Sequence, residues 1–286
     1  MVPVTLSAQS IGYLFATTKT QVLRVHSVFQ HALNLCSESG ICLTLLCAKT
    51  YQNLADAARV ALPENWDWRE KIAVSASVHL TNGVLHAPRF CVVLTSATVW
   101  QPRLHGGSRD VKAAAWDPGA IQTLASQLRL FYLEHHVESA LQWSGSPLQH
   151  GLRVQESPEQ LEQQVSQLIG YGKGLTPDGD DYLLGYLAAL WPWLLPADLA
   201  AHHRRLQQAI QCRLPCTTDI SRHYLNRALE GHFSQPICHL LEQLNARAAR
   251  NTIAACADQV MQFGATSGVD CLAGILHGMR TLNTRS

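Results

Sequence analysis

The sequence has no cluster of basic residues, no CxxC pair and no apolar run suited to crossing a membrane. Its 22 Lys and Arg are scattered and nearly balanced by 21 Asp and Glu, giving a formal net charge of +1. No basic stripe is available to grip a phosphate backbone, so nucleic acid is not expected as a partner. The uncharged run from Tyr182 to Ala197 is interrupted by Pro192 and Pro196, and it falls short of the roughly 20 residues a bilayer requires. It reads as a buried helix and its exit, with no membrane association. The opening residues mix Ser, Gln, Gly and Thr with apolar ones, and the first basic residue is Lys19. That is unlike the basic start of a secretory signal, so a cytoplasmic location is expected. The 9 cysteines follow no framework, and reduced, mostly buried thiols are expected. Cys212 and Cys216, with His202, His203, His232 and His239 nearby, have a spacing that zinc can use, but unliganded thiols are the simpler reading.

What the chain does have is 47% hydrophobic residues against 15% charged ones over 286 positions, enough for one large or two ordinary cores. Short β-branched runs at Gln21–Phe29, Gly40–Cys47, Lys71–Leu80 and Phe90–Val99 read as strands, and Asn82-Gly83 as a hairpin turn. The alanine-rich stretch Leu54–Leu62 reads as helix. Gln101 to Asp110, with one Pro and two Gly, reads as a linker, with a binding loop as its rival. Beyond it the period becomes helical. Ser157-Pro158-Glu159-Gln160 is a helix start, and further helices are expected near 121–136, 182–194, 198–212, 219–230, 236–248, 252–262 and 270–282. The expected fold class is α+β, with a β-rich N-terminal domain over 1–110 followed by an all-α C-terminal domain over 111–286.

The densest chemistry lies in the loop from Gly170 to Asp181, GYGKGLTPDGDD. Glycines let backbone amides approach a ligand, and a helix N-terminus carries partial positive charge, so Gly172, Gly174 and Gly179 are candidates to cradle a phosphate or carboxylate. Lys173 and Thr176 would add donors. Asp178 and Asp180 oppose an anion unless a cation such as Mg²⁺ lies between, which makes them candidate metal ligands and Mg²⁺ the candidate cofactor. A β-turn at Thr-Pro-Asp-Gly with an aspartate capping the next helix explains the same residues without a ligand. Two familiar loops do not fit. Gly172-Lys173 is followed by Gly174 where a Walker A loop needs Ser or Thr, and an EF-hand starting at Asp178 would find Ala189 at its last position.

A shorter copy follows at Gly264-Ala-Thr-Ser-Gly-Val-Asp270. With a one-residue gap, Thr176 matches Thr266, Gly179 matches Gly268, Asp181 matches Asp270 and Gly185 matches Gly274. Two equivalent helix starts facing one pocket are expected, with Thr266, Ser267 and Gly268 lining it and Asp181 and Asp270 as candidate catalytic residues beside Lys173. A third hydroxyl-rich loop, Cys216-Thr217-Thr218-Asp219-Ile220-Ser221, would add Thr217, Thr218 and Ser221 to the binding set.

These blocks, GYGKGLTPDGDDYLLG, then TTDIS with RALEG, then FGATSGVDCLAG, resemble in order those of the AllH-like family of bacterial proteins, and the strand-rich N-terminal part resembles it more loosely. The resemblance implies a subunit of an oxamate carbamoyltransferase-type complex, in which oxalurate and phosphate interconvert with oxamate and carbamoyl phosphate. It therefore implies a small anionic substrate and other protein subunits as partners. Where the family often has His in the third block, this chain has Ala265. The rival readings are a non-catalytic scaffold or binding subunit, and a Mg²⁺-dependent hydrolase using Asp178, Asp180 and Asp181 to activate water.

Overall fold

The computed structural model describes residues 3–102, 116–142 and 151–284, which fall into two compact units, 1–102 and 103–286. The first is built from β1 (Val4–Gly12), the short helix α1 (Tyr13–Ala16), β2 (Gln21–Val28), β3 (Ala32–Cys36), β4 (Cys42–Cys47), β5 (Ala57–Ala61), α2 (Trp68–Lys71), β6 (Ser77–Thr81), β7 (Val84–His86), β8 (Phe90–Val93) and β9 (Thr98–Trp100). Strand order is β5-β4-β3-β2-β6-β7-β8-β1, and β1 pairs again with β5, so the sheet closes on itself. β9 continues along β1 beyond β8 as a parallel partner at Ser10 to Gly12. Closure leaves one interior, filled by Leu23, Val25, Leu33, Leu35, Leu45, Val60, Leu85, Phe90 and Val92, and removes the exposed edges an open sheet would present.

The expected fold class needs correction on this point: the N-terminal unit is not simply a β-rich layer of an α+β protein but a closed eight-stranded barrel. The physical reason lies in Leu54–Leu62, expected as helix and found to contain the closing strand. β5 pairs parallel with β4 and antiparallel with β1, so two ladders override the helical preference of its alanines. Small side chains suit the closure: a Cβ at Gly12 would overlap the carbonyl oxygens of Leu54 and Ala55. Asn82 and Gly83, at φ of 51° and 72°, make the expected hairpin turn between β6 and β7. The expectation of reduced cysteines is also corrected. Cys36 and Cys42 stand opposite each other in the β3–β4 ladder and form a disulfide. Residues 103–110 of the expected linker lie outside the described residues.

The second unit carries α3 (Pro118–His135), a 3-10 turn at Ala140–Gln142, α4 (Pro158–Leu168), α5 (Asp178–Leu190), α6 (Ala197–Arg213), α7 (Asp219–Leu229), α8 (Gln235–Asn245), α9 (Arg250–Met261) and α10 (Ser267–Asn283). Caps explain several of these starts. Ser157 and Gln160 form a capping box on α4, and Asp117 and Thr218 accept amide protons from Ala120 and Ser221. α5 is the centre of the unit, with nearly all of its residues buried, and its main neighbour is α10.

The α5–α10 contact depends on two glycines related by the internal repeat. A Cβ at Gly185 would overlap the Cys271 carbonyl oxygen, and a Cβ at Gly274 would overlap that of Tyr182. Glycine at both positions lets the two backbones touch, and the reciprocity identifies a pseudo-twofold relation between the helices. It extends to the preceding helices. A Cβ at Gly179 would overlap the Leu168 carbonyl at the end of α4, and one at Gly268 the Val260 carbonyl near the end of α9. Two helix-loop-helix units, α4–α5 and α9–α10, therefore pack back to back with their second helices starting side by side.

Candidate functional site

The two starts meet where the repeat places its aspartates. Thr176 and Ser267 hydroxyls lie 2.9 Å apart, and Thr266 Oγ1 donates to Asp178 Oδ1 at 3.2 Å, so each loop is bonded to the other helix start. The third loop joins at Asp180. Its Oδ2 accepts from Ser221 Oγ at 2.7 Å and from the Thr217 hydroxyl, and its Oδ1 accepts from the Gly170 amide at 3.0 Å. Thr218 faces the same loop differently: its hydroxyl donates to the Leu175 carbonyl and caps α7. The expected convergence of α5, α10 and the 216–221 loop is thus present, although Asp181 and Asp270 are 89 positions apart in the chain.

The repeat is tighter than its sequence alignment suggests. The residues capping the helices are Pro177 and Thr266, each four before its aspartate, so the copies match without a gap and Thr176 is not the counterpart of Thr266.

A fourth wall was not legible. Ser139, fully buried, donates to Asp270 Oδ1 at 2.5 Å, and the Ala140 amide donates to Asp178 Oδ2 at 2.5 Å. Neither residue belongs to a recognisable pattern, and only the fold brings this turn to the helix starts. Behind the site, Tyr182 shares a hydrogen bond with His277 Nδ1, and Tyr186 with His202 Nε2 at 3.1 Å. Burial lowers both histidine pKa values to about 4, with nearby arginines adding to the effect, so both imidazoles are neutral at pH 7.

Asp178, Asp180, Asp181 and Asp270 are all buried, and among the described residues none of them forms an ion pair. Asp178 and Asp180 have bonds to both oxygens. Asp181 and Asp270, the pair equated by the repeat, each keep a buried Oδ2 with no partner among the described residues. Burial pushes the Asp181 carboxyl well above the usual range; hydroxyl bonds from Ser267 and Thr176 oppose this, and the charges of Asp270 and Asp180 add to it. Burial likewise raises Asp270 to about 7, against the Ser139 bond and with Asp178 reinforcing the rise. Asp180 is raised more modestly, because Thr217, Gly170 and Ser221 offset its burial. Burial and the neighbouring carboxylates thus hold Asp181 and Asp270 above the usual carboxylate range, and Asp270 is brought close to neutral pH.

The glycine loop divides into two parts. Gly170, Gly172 and Gly174 have φ of 73°, 114° and 91°, conformations that favour glycine, and the exposed stretch Gly172-Lys173-Gly174 faces solvent. Lys173 forms no ion pair among the described residues. Gly179 and Gly268 are buried, and their amides donate to the Tyr171 and Phe263 carbonyls, so neither amide is free for a ligand. Among the described residues no group of three or more His, Cys, Asp or Glu side chains is arranged to hold a metal ion, Cys212, Cys216 and their neighbouring histidines included.

Residues 168–279, which contain every element of this site except the Ser139–Ala140 turn, match the family described as oxamate carbamoyltransferase subunit AllH. Residues 5–99, the barrel, match the AllH family N-terminal domain. The chain belongs to the AllH family. No solved structure matches it. Membership makes this AllH-family chain a subunit of a protein assembly by the family's description. No described helix is long and apolar enough to cross a membrane.

Proposed function

We propose that this AllH-family chain is a cytoplasmic subunit of an oxamate carbamoyltransferase-like complex and binds a small anionic substrate, of the phosphate or carboxylate type, at the junction of α5, α7 and α10. In this reading oxalurate and phosphate interconvert there with oxamate and carbamoyl phosphate. The observation that carries it is the meeting of three hydroxyl-rich helix starts around two buried carboxyls with unpaired oxygens, beside an exposed glycine loop bearing Lys173. Lys173 and the backbone of Gly172 and Gly174 hold the anion. Thr176, Thr217, Thr266 and Ser267 supply hydroxyls that donate or accept as charge moves, while Thr218 and Ser221 keep the third loop in place. Asp181 and Asp270 take and return protons; Asp270, raised to about 7, suits this near neutral pH, and burial raises Asp181 in the same direction. Gly179 and Gly268 act by allowing close packing. Mg²⁺ enters only with a phosphate-bearing ligand, since Asp178 and Asp180 have spent their oxygens on protein donors.

Catalysis in such a site is a matter of holding a planar carbamoyl carbon near its nucleophile while fixed donors neutralise charge developing on oxygen. The test is recovery of the native protein from cell extract together with its partners, followed by calorimetric titration with carbamoyl phosphate and phosphate. Partner subunits and binding of either ligand are expected. A partner-free monomer that binds neither would remove the reading.

A further inference from the structure

Asp181 and Asp270 are an unusual pair to bury. They are 8% and 0% exposed, they occupy equivalent places on two pseudo-symmetric helices, and each keeps one carboxyl oxygen without a donor among the described residues. An unsatisfied buried acceptor costs stability, and two at matching positions call for a donor that is present only when the site is filled. The pair lies just beneath half-buried hydroxyls: those of Thr176 and Ser267 neighbour Asp181, and that of Thr266 neighbours Asp270, which accepts from Ser139. No lysine or arginine pairs with them among the described residues, which leaves the ligand as a source of the missing partner.

We infer that the unpaired oxygens of Asp181 and Asp270 receive the two N–H groups of a primary amide, so that this pair selects the carbamoyl end of the substrate. The inference rests on the proposed function and assigns the selection to these residues. In its ionised form, which Asp270 reaches above its value of about 7, a carboxyl pair beside further carboxylates accepts N–H donors and repels a second carboxylate in the same place. It therefore separates an –NH₂ group from an oxygen of nearly the same size. Discrimination of this kind is strong, because the wrong ligand leaves buried acceptors unpaired. The helix starts contribute the symmetry: one acceptor from α5 and one from α10 match the two hydrogens of one nitrogen.

Oxamate and oxalate provide the test, since they differ only in bearing NH₂ or O⁻ at one end. Binding of each would be measured calorimetrically at pH 8 on the full chain with the subunits that accompany it. Oxamate is expected to bind at least about tenfold more tightly than oxalate. In Asp181→Asn and Asp270→Asn, each placing a donor where an acceptor is required, the ratio is expected to fall below about threefold, with folding checked by circular dichroism. Equal binding of the two ligands, or a preference for oxalate, overturns the inference and leaves the anion-site reading standing. An unchanged ratio in both folded variants overturns it as well. Binding of neither ligand removes both. The wild-type ratio decides even where a variant fails to fold.

Discussion

Replacing Asp270 by Asn changes one atom type in the most buried part of the site, and its effect on stability can be worked out in advance. The carboxyl rises from 3.8 to about 7 on folding, chiefly through burial. Between those values the folded protein keeps a proton that the unfolded chain has lost, so stability falls as pH rises through this window. It is fully present below about pH 4 and lost by the time pH passes 7. Three units at 1.36 kcal/mol each come to on the order of 4 kcal/mol. Asn carries no charge at any pH and can still accept from Ser139 through its carbonyl oxygen. The variant should therefore track the wild type near pH 4 and be markedly more stable relative to it at pH 8. Asp181 is raised in the same direction, so some slope remains in the single variant and Asp181→Asn/Asp270→Asn should be flatter still. Urea denaturation at intervals from pH 4 to 9 reads the difference. Parallel curves for wild type and Asp270→Asn across the whole range would refute the burial argument.

Other substitutions test the packing and the loop. Gly185→Ala and Gly274→Ala each push a methyl into a backbone carbonyl of the facing helix; a loss of about 1–3 kcal/mol or more is expected despite alanine's better helix propensity, and an unchanged melting temperature would contradict the close α5–α10 contact. Lys173→Ala should weaken binding of carbamoyl phosphate by about 1–3 kcal/mol while leaving the melting temperature of the ligand-free protein alone, since the side chain is exposed and unpaired among the described residues. An affinity unmoved by the change would make it a solvated loop charge. Thr218→Ala removes the cap of α7 and a tie to the glycine loop. About 1 kcal/mol of stability should go with it in thermal unfolding, and a variant as stable as wild type would show that the cap contributes little.

The sequence exposed some of this readily and hid the rest for identifiable reasons. The helices beyond residue 118 announce themselves by period and caps: α6 was expected at 198–212 and runs Ala197–Arg213, and α7 at 219–230 and runs Asp219–Leu229. The repeated Gly-x-Asp pattern led to two helix starts that do meet, because the constraints making Gly185 and Gly274 necessary act on a period of the chain itself. The barrel was less legible. β5 is rich in alanine, and its strand state comes from ladders to β1 and β4 that no local window contains. Ser139 could not be found at all, since a lone serine before a short turn carries no signal until the fold brings it to Asp270. Gly179 illustrates the opposite error: its place in a glycine-rich loop suggested a ligand cradle, whereas its missing side chain makes room for the end of α4.

The most direct test of the whole account is carbamoyl transfer by the reassembled complex. Phosphate-dependent cleavage of oxalurate would be followed with the partner subunits and either this chain or its Asp181→Asn variant. The account predicts turnover with the wild-type chain and loss of at least about 100-fold with the variant, the scale for removing a positioned proton-transfer group, while both chains assemble equally well. Equal turnover with the variant, or with the partner subunits alone, would contradict it.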